Sequence, residues 1–464
     1  MLLVIPAQAA AQSRQHFPFD GRRLLPEMPV STSVSIDHDI KVTVFGTSLA
    51  GLGDLDGDGH GELAIGAPFA WGPRGRTGAV LIVNPATGVW VRTLYGPASR
   101  TRFGDSVLYV PRTDPSAAGR LAILTGEDEL MVIDLGTWTQ CAERAEVTSL
   151  LGTQPDLDGD GIAEIVVRRR AGPLTGVSTI SSASALPLDH LEMHPLCEWA
   201  GGDLDGDGLS DFLRPASNED QPMCLISAGT GTTLASLGVQ PRARSYAGQL
   251  PIAARLDRDG RADLLIGALR VGERTIHVQA RFGGALTVAA EWPHAASIPP
   301  GAETAGGKYL RRGLFNLGDL DHDGFDEILT GGVFNDPADD AGCYSGATGL
   351  QMWSAKSLDE LLVPRDIKGW RSRGWTFSTQ WRDLEARAPA IVALDDFDGD
   401  KVRDLVFGTT ERLDCGPGWL EESPNTQVIV VSGKTGARLR VLAEGDYPSI
   451  AFQTERDSKV LIVK

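Results

Sequence analysis

The sequence predicts an all-β chain built from a repeated unit of antiparallel strands, and three observations lead to that class. Short apolar runs are separated by turn formers, with 55 glycines and 27 prolines in 464 residues, a pattern that favours many short strands over long helices. A nine-residue acidic loop recurs along the chain, each time followed at once by an apolar run. A hairpin-like passage, strand then Gly-containing turn then strand, follows several of those runs.

The loop is clearest at Asp54-Leu55-Asp56-Gly57-Asp58-Gly59-His60-Gly61-Glu62, which leads directly into Leu63-Ala64-Ile65-Gly66-Ala67-Pro68. Its relatives occupy 156–164, 203–211, 255–263, 319–327 and 396–404. Neighbouring loops lie on the order of 50 to 80 residues apart, except that the first interval is about two ordinary periods. A repeat is therefore expected inside it. Arg102-Phe103-Gly104-Asp105-Ser106-Val107 echoes Val44-Phe45-Gly46-Thr47-Ser48-Leu49, and Leu121 to Gly126 echoes the run after the first loop. Between them Pro111 to Ser116 has replaced the acids, so this repeat keeps its strands and has lost its ligands.

The hairpin piece runs from Val80 through Pro85-Ala86-Thr87-Gly88 to Leu94, and similar passages are read at 226–237, 344–353 and 428–442. One period is thus an inner strand, an acidic loop, a second strand and a hairpin. Four antiparallel strands in about 50 residues is the unit of a β-propeller. Seven units can be read, predicting seven four-stranded blades. The count becomes eight if terminal strands, 447–452 and 459–463 with 30–36 as outer edge, form a composite closing blade. Residues 1–11 read as the remnant of a secretory signal, with Ala-x-Ala cleavage options at Ala7 to Ala9 or Ala9 to Ala11. Residues 12–43 form an N-terminal segment able to supply a closing strand, and 44–464 the propeller.

The loop chemistry points to calcium, a hard cation that takes six to eight oxygens. Carboxylates at the first, third and fifth positions of a tight loop converge, with a backbone carbonyl at the seventh and an acid at the ninth. Glycine at the sixth allows the sharp turn. The ligand sets are Asp54, Asp56, Asp58, His60 and Glu62; Asp156, Asp158, Asp160, Ile162 and Glu164; Asp203, Asp205, Asp207, Leu209 and Asp211; Asp319, Asp321, Asp323, Phe325 and Glu327; Asp396, Asp398, Asp400, Val402 and Asp404. The last has Lys401 at the glycine position. In 255–263, Arg255 takes the first position and leaves Asp257, Asp259 and Asp263; its guanidinium is expected to pair with them in place of a cation. The expectation is about four to six structural Ca²⁺ ions. An EF-hand is excluded, since its twelfth position would fall on Ile65, inside the apolar run. Magnesium fits less well, preferring few protein ligands and several waters.

Phe45-Gly46 and Gly66-Ala67-Pro68, flanking Asp54 to Glu62, resemble the FG-GAP repeat of integrin α-subunit propellers and related bacterial surface proteins. The resemblance covers about residues 44–445. It implies a seven-bladed calcium-bearing propeller used for adhesion or ligand binding, without catalysis.

The net charge of −18 argues against nucleic acid, whose phosphates demand clustered Lys and Arg. Each bound Ca²⁺ would offset two of those charges and relieve self-repulsion. No apolar run reaches about 18 residues, so no membrane span is expected. Five widely spaced cysteines show no Cys-x-x-Cys pattern. His190-Leu191-Glu192-Met193-His194 lacks the zincin order and reads as a connector, and Gly433-Lys434-Thr435 reads as a hairpin turn rather than a phosphate loop. Two insertions stand out, one at about Trp292 to Arg312 and one holding Trp370, Arg371, Trp375 and Trp381. Long loops commonly build a propeller's binding face, and Trp and Arg suit protein hot spots and sugar rings. The expected function is a secreted, periplasmic or cell-surface, non-enzymatic calcium-binding propeller that meets an unknown protein or glycan. The alternatives are a propeller polysaccharide lyase, for which no histidine cluster supplies a base, and a structural envelope protein.

Overall fold

The computed structural model describes Leu3–Val4, most of 46–188, and the sheet-bearing parts of 194–463; 5–45, 189–193, 237–251, 298–313, 334–346, 355–364, 367–374, 377–390 and 412–424 lie outside the described residues. Every regular element among them is a β-strand. Seven sheets of four or more antiparallel strands follow one another in chain order, beside two small two-stranded ones.

The first sheet sets the pattern. Leu49–Gly51 is followed by the acidic loop, then Leu63–Ala67, Ala79–Val83 and Trp90–Tyr95, each paired with its predecessor. The emptied repeat builds the same sheet from Ser106–Val110, Arg120–Leu124, Leu130–Asp134 and Thr139–Arg144. In the seventh sheet the inner position is split: Ile391–Ala393 and Trp375–Thr376 both pair with Leu405–Glu411, at opposite ends of it.

Period-two side-chain alternation sends neighbours to opposite faces, and here both faces are buried. Leu121 and Ile123 pack toward the first sheet with Ala64, Val80 and Ile82. Ala122 and Leu124 pack toward the third with Ile165, Val167 and Ile180. The second strands therefore read as unbroken apolar runs. Sheets stack in this way around a ring, and the ring closes: Leu63 and Ile65 share a core with Val406, Val428 and Val430 of the seventh sheet. First strands of several neighbouring sheets also touch, and Leu49–Gly51 touches Ile391–Ala393. This is a β-propeller.

The two halves of the Phe-Gly and Gly-Ala-Pro pattern meet between blades. A Cβ on Gly66 would collide with the Gly104 carbonyl of the second sheet, and one on Gly408 with the Gly46 carbonyl of the first. Gly46 and Gly104 sit at φ of 73° and 87°, in the left-handed region that favours glycine. Backbone thus meets backbone at successive blades, and no side chain fits there.

Two expectations are corrected. Of the strands offered for a composite closing blade, Ile450–Glu455 and Ser458–Val463 pair with each other as a separate sheet lying against Trp71–Gly72. The first and seventh sheets already hold their own strands and close by direct contact. The outer edge of the first is met by Leu3–Val4, while 30–36 falls outside the described residues. Residues 347–353, read as turn and strand, belong to one strand, Ala347–Ser354, because pairing with Glu327–Val333 resumes beyond an irregularity at Gly349 and continues to Thr348 and Ala347. Trp292 lies within Thr287–Ser297, paired with Val278, so the long interval there begins with a lengthened strand rather than a loop.

Candidate metal centres

Each acidic loop links the first strand of a sheet to the second. Its first aspartate curls the chain by accepting amides from its own loop. Asp54 takes Gly57 and Gly59 at 2.6 and 2.9 Å, Asp156 takes Gly159 and Gly161 at 2.7 and 2.9 Å, and Asp203 takes Gly206 and Gly208 at 2.6 and 2.9 Å. Asp319 and Asp396 do the same, the latter through Gly399 and Lys401. Amides clustered on Asp54, chiefly that of Gly59, hold its carboxyl below the usual range. The curl puts Lys401 at φ 71° and His322 at 60°, where other loops use glycine.

The fifth-position acids Asp58, Asp160, Asp207, Asp323 and Asp400 accept the amides of His60, Ile162, Leu209, Phe325 and Val402 at the seventh position. The ninth-position acids are the buried members: Glu62, Glu164, Asp211, Asp263 and Asp404 are fully buried and Glu327 nearly so. One oxygen reaches back to the second-position amide, as in Leu204 N to Asp211 at 2.9 Å and Phe397 N to Asp404 at 2.8 Å. The other meets the hairpin turn, through Asn84 for Glu62, Ser182 for Glu164, Ala228 for Asp211 and Gly433 for Asp404. Burial pushes Glu62, Glu164 and Asp211 up to about 7 and Asp404 to about 6, because an uncompensated buried charge is costly.

Five of the six loops bring three carboxylates together, with one oxygen of each within 4.8 Å of the others: Asp54, Asp56 and Asp58; Asp156, Asp158 and Glu164; Asp203, Asp205 and Asp211; Asp319, Asp321 and Glu327; Asp396, Asp398 and Asp404. With Ca²⁺–O distances of about 2.3–2.6 Å, ligands of one ion lie up to about 5 Å apart, so these groups fit a common cation. The buried Oδ1 of Asp321 accepts no hydrogen bond from the protein, as a metal-facing oxygen would not. In the first loop Asn84, fully buried, donates to both Asp58 and Glu62 at 2.8 and 3.1 Å, and the converging group there does not include Glu62.

The 255–263 loop differs. Asp257, Asp259 and Asp263 are not among the converging groups, and Arg255 does not pair with them. Its Nε and NH2 donate to Asp326 Oδ1 at 3.0 and 2.8 Å, and its amide to Oδ2 at 2.9 Å. Asp326 has a 6% exposed side chain and needs donors, whereas Asp257 and Asp259 are wetter and accept their own loop's amides. Of the insertion residues, Trp375 lies in the two-residue strand beside Glu411; Trp370, Arg371 and Trp381 fall outside the described residues.

Two features escaped the sequence reading. The residue between the first two acids, Leu204, Leu256 or Leu320, is buried, and Leu204 and Leu320 plug the cores shared with the next blade; the repeated Asp-Leu-Asp was the available signal. The eighth-position amide of every loop donates to the preceding blade. Ala163, Ala262, Asp326 and Arg403 reach carbonyls of Pro111, Asp203, Arg255 and Leu320. Ser210 reaches Gln154 Oε1 at 2.8 Å, and Gly61 reaches Asp395 Oδ2 at 2.6 Å. Backbone donors leave no residue-type signature.

A family model described as the FG-GAP repeat matches residues 45–83. Integrin alpha-5 of Xenopus laevis is 33% identical over 145 residues, covering 30% of this chain and 14% of that protein. The match thus spans about a seventh of that relative's length. Among solved structures, Saccharomyces cerevisiae Sqt1 overlaps 88% of this chain and 87% of its own at 10% identity and a TM-score of 0.41. The Dos1 propeller overlaps 90% and 86% at 10% identity and a TM-score of 0.40. Those overlaps are loose, and the architecture rests on the sheet order and ring contacts. With its Phe-Gly and Gly-Ala-Pro halves meeting between blades, residues 45–83 are similar to the FG-GAP repeat and lie within a β-propeller.

Proposed function

We propose that the protein is a secreted or surface-exposed, non-enzymatic propeller that binds Ca²⁺ in five of its acidic loops and presents a face to a protein or glycan partner. The observation that carries the metal reading is the convergence of three carboxylate oxygens within 4.8 Å in five loops. Asp156, Asp158 and Glu164 would hold one ion, and the four other groups one each. When bound, Ca²⁺ supplies positive charge that crosslinks the carboxylates of one loop and removes the burial penalty on the ninth acid.

The loops' own residues do the rest. The first aspartate fixes the curl, the ninth acid ties loop to hairpin turn, and the eighth amide ties loop to the preceding blade. Binding would therefore stabilise the joints, since a ligand that binds only the folded state adds to stability by linkage. The adhesion or binding role is supported by the FG-GAP match and the integrin relative. The partner surface is assigned to the insertion around Trp370, Arg371, Trp375 and Trp381, where the chain departs from its repeat length.

Calorimetric titration of the full chain with Ca²⁺ tests the metal reading; absence of binding would overturn it. Protein and glycan screens with Ca²⁺ and then with chelator test the partner reading. Release of unsaturated product from an acidic polysaccharide would replace it with lyase activity.

A further inference from the structure

We infer that in two loops an arginine stands where the others offer carboxylates to a cation, one joining blade to blade and one tying loop to hairpin turn within a blade, so that part of the ring stays locked without Ca²⁺. This rests on the proposed Ca²⁺ reading of the five converging loops.

The first arginine is Arg255, at the first position of its loop. Its guanidinium and amide both grip Asp326, at the eighth position of the next loop. The amide of Asp326 returns a bond to the Arg255 carbonyl at 2.9 Å. Asn316 completes the knot, donating to Asp326 Oδ2 at 2.8 Å and to the Ala253 carbonyl at 2.9 Å. Elsewhere the same blade-to-blade step is made by the eighth-position amide with at most one side-chain partner.

The second arginine is in the emptied repeat. Aligning Val107 with Leu49 puts Arg112 at the position of Asp54. Arg112 Nε donates to the Ala118 carbonyl at 2.6 Å, and its NH2 pairs with Asp134 at 3.2 Å. Asp134 ends the strand Leu130–Asp134 and accepts from Thr137 in the following turn. Arg112 thus ties loop to hairpin turn, the two parts that the ninth acid ties in the metal loops. At the end of this loop Arg120 crosses to the next blade, reaching Asp160 at 3.1 Å and Ser182 at 2.8 Å.

A guanidinium suits this substitution. It is permanently charged, its donors are fixed in a plane, and it is covalently attached, so no chelator removes it. The loops carrying it are those where the first aspartate is absent, and in 255–263 the remaining acids do not converge.

The test counts bound Ca²⁺ on the full chain by equilibrium dialysis and measures melting temperatures with Ca²⁺ and with chelator. The double variant Asp257→Asn/Asp259→Asn should keep the wild-type count, while Asp203→Asn/Asp205→Asn should lose one ion. Arg255→Met and Arg112→Met should lower Tm by the same amount in both conditions, and Asp205→Asn only with Ca²⁺ present. Loss of an ion from the Asp257/Asp259 variant, or an Arg255→Met deficit that disappears in chelator, overturns the inference. If Arg255→Met does not fold, Arg255→Lys is judged by the same criterion. A wild type that holds no Ca²⁺ would sink the metal reading of the other loops, while the arginine joints would still stand or fall on the melts.

Discussion

Asp211 offers a change whose sign should reverse with Ca²⁺. Its carboxylate is fully buried and accepts Leu204 N at 2.9 Å and Ala228 N at 3.0 Å. Burial raises it from 3.8 to about 7. Such a raised acid contributes nothing unfavourable below its unfolded value, where it is protonated in both states. Stability is then lost as pH climbs through the folded value. By pH 8 in chelator the cost approaches the full shift, on the order of 4 kcal/mol. Asp211→Asn removes that cost and turns one acceptor into a donor facing a buried amide, a loss of about 1–3 kcal/mol. The difference leaves the metal-free variant more stable by about 1–3 kcal/mol at pH 8, and less stable than wild type near pH 4. With saturating Ca²⁺ the buried charge is already compensated and a ligand is lost, so the variant is less stable than wild type. Thermal melts at pH 8 with Ca²⁺ and with chelator read both signs. A Tm loss of equal size in the two conditions would refute the reasoning.

Other expectations follow from the same joints. Lys401→Gly relieves a left-handed backbone at φ 71° and should stabilise the fold by about 1 kcal/mol, read as a higher urea midpoint; an unchanged midpoint would mean the loop is not strained there. Gly66→Ala drives a methyl into the Gly104 carbonyl and should cost about 1–3 kcal/mol or more, since backbone at a blade contact cannot retreat as a side chain can. With Glu164 and Asp211, members of their converging groups, raised to about 7, Ca²⁺ binding should release protons near neutral pH and weaken as pH falls below it. Calorimetry in two buffers of different ionisation enthalpy would show this, and buffer-independent heats would contradict it.

The parts of this architecture legible in the sequence are those written in residue types. Alternating aspartates, the Phe-Gly of the second repeat and its missing acids mark the strand order and the emptied loop. What stayed hidden depends on distance or on backbone. Arg255 was expected to serve its nearest acids, yet its partner lies 71 residues away, on a carboxylate more buried than they are. Ala347-Thr348-Gly349 copies the Ala86-Thr87-Gly88 turn, but the strand beside it is long enough to keep those residues extended. The first loop's Glu62 carries the ligand pattern, and only the structure shows its two oxygens taken by Asn84 and the Leu55 amide.

The closing contact between the seventh and first blades has a consequence for how the chain is made. Gly61 waits for Asp395, a partner 334 residues later, and Gly46 waits for Gly408. During synthesis one face of the first blade, with Leu63, Ile65 and Ala67, has nothing to cover it until the last blade emerges. Non-local closure of this kind slows folding and leaves an apolar surface open to aggregation. The first blade is therefore where a holding chaperone would be needed longest, and where a truncated chain would stick.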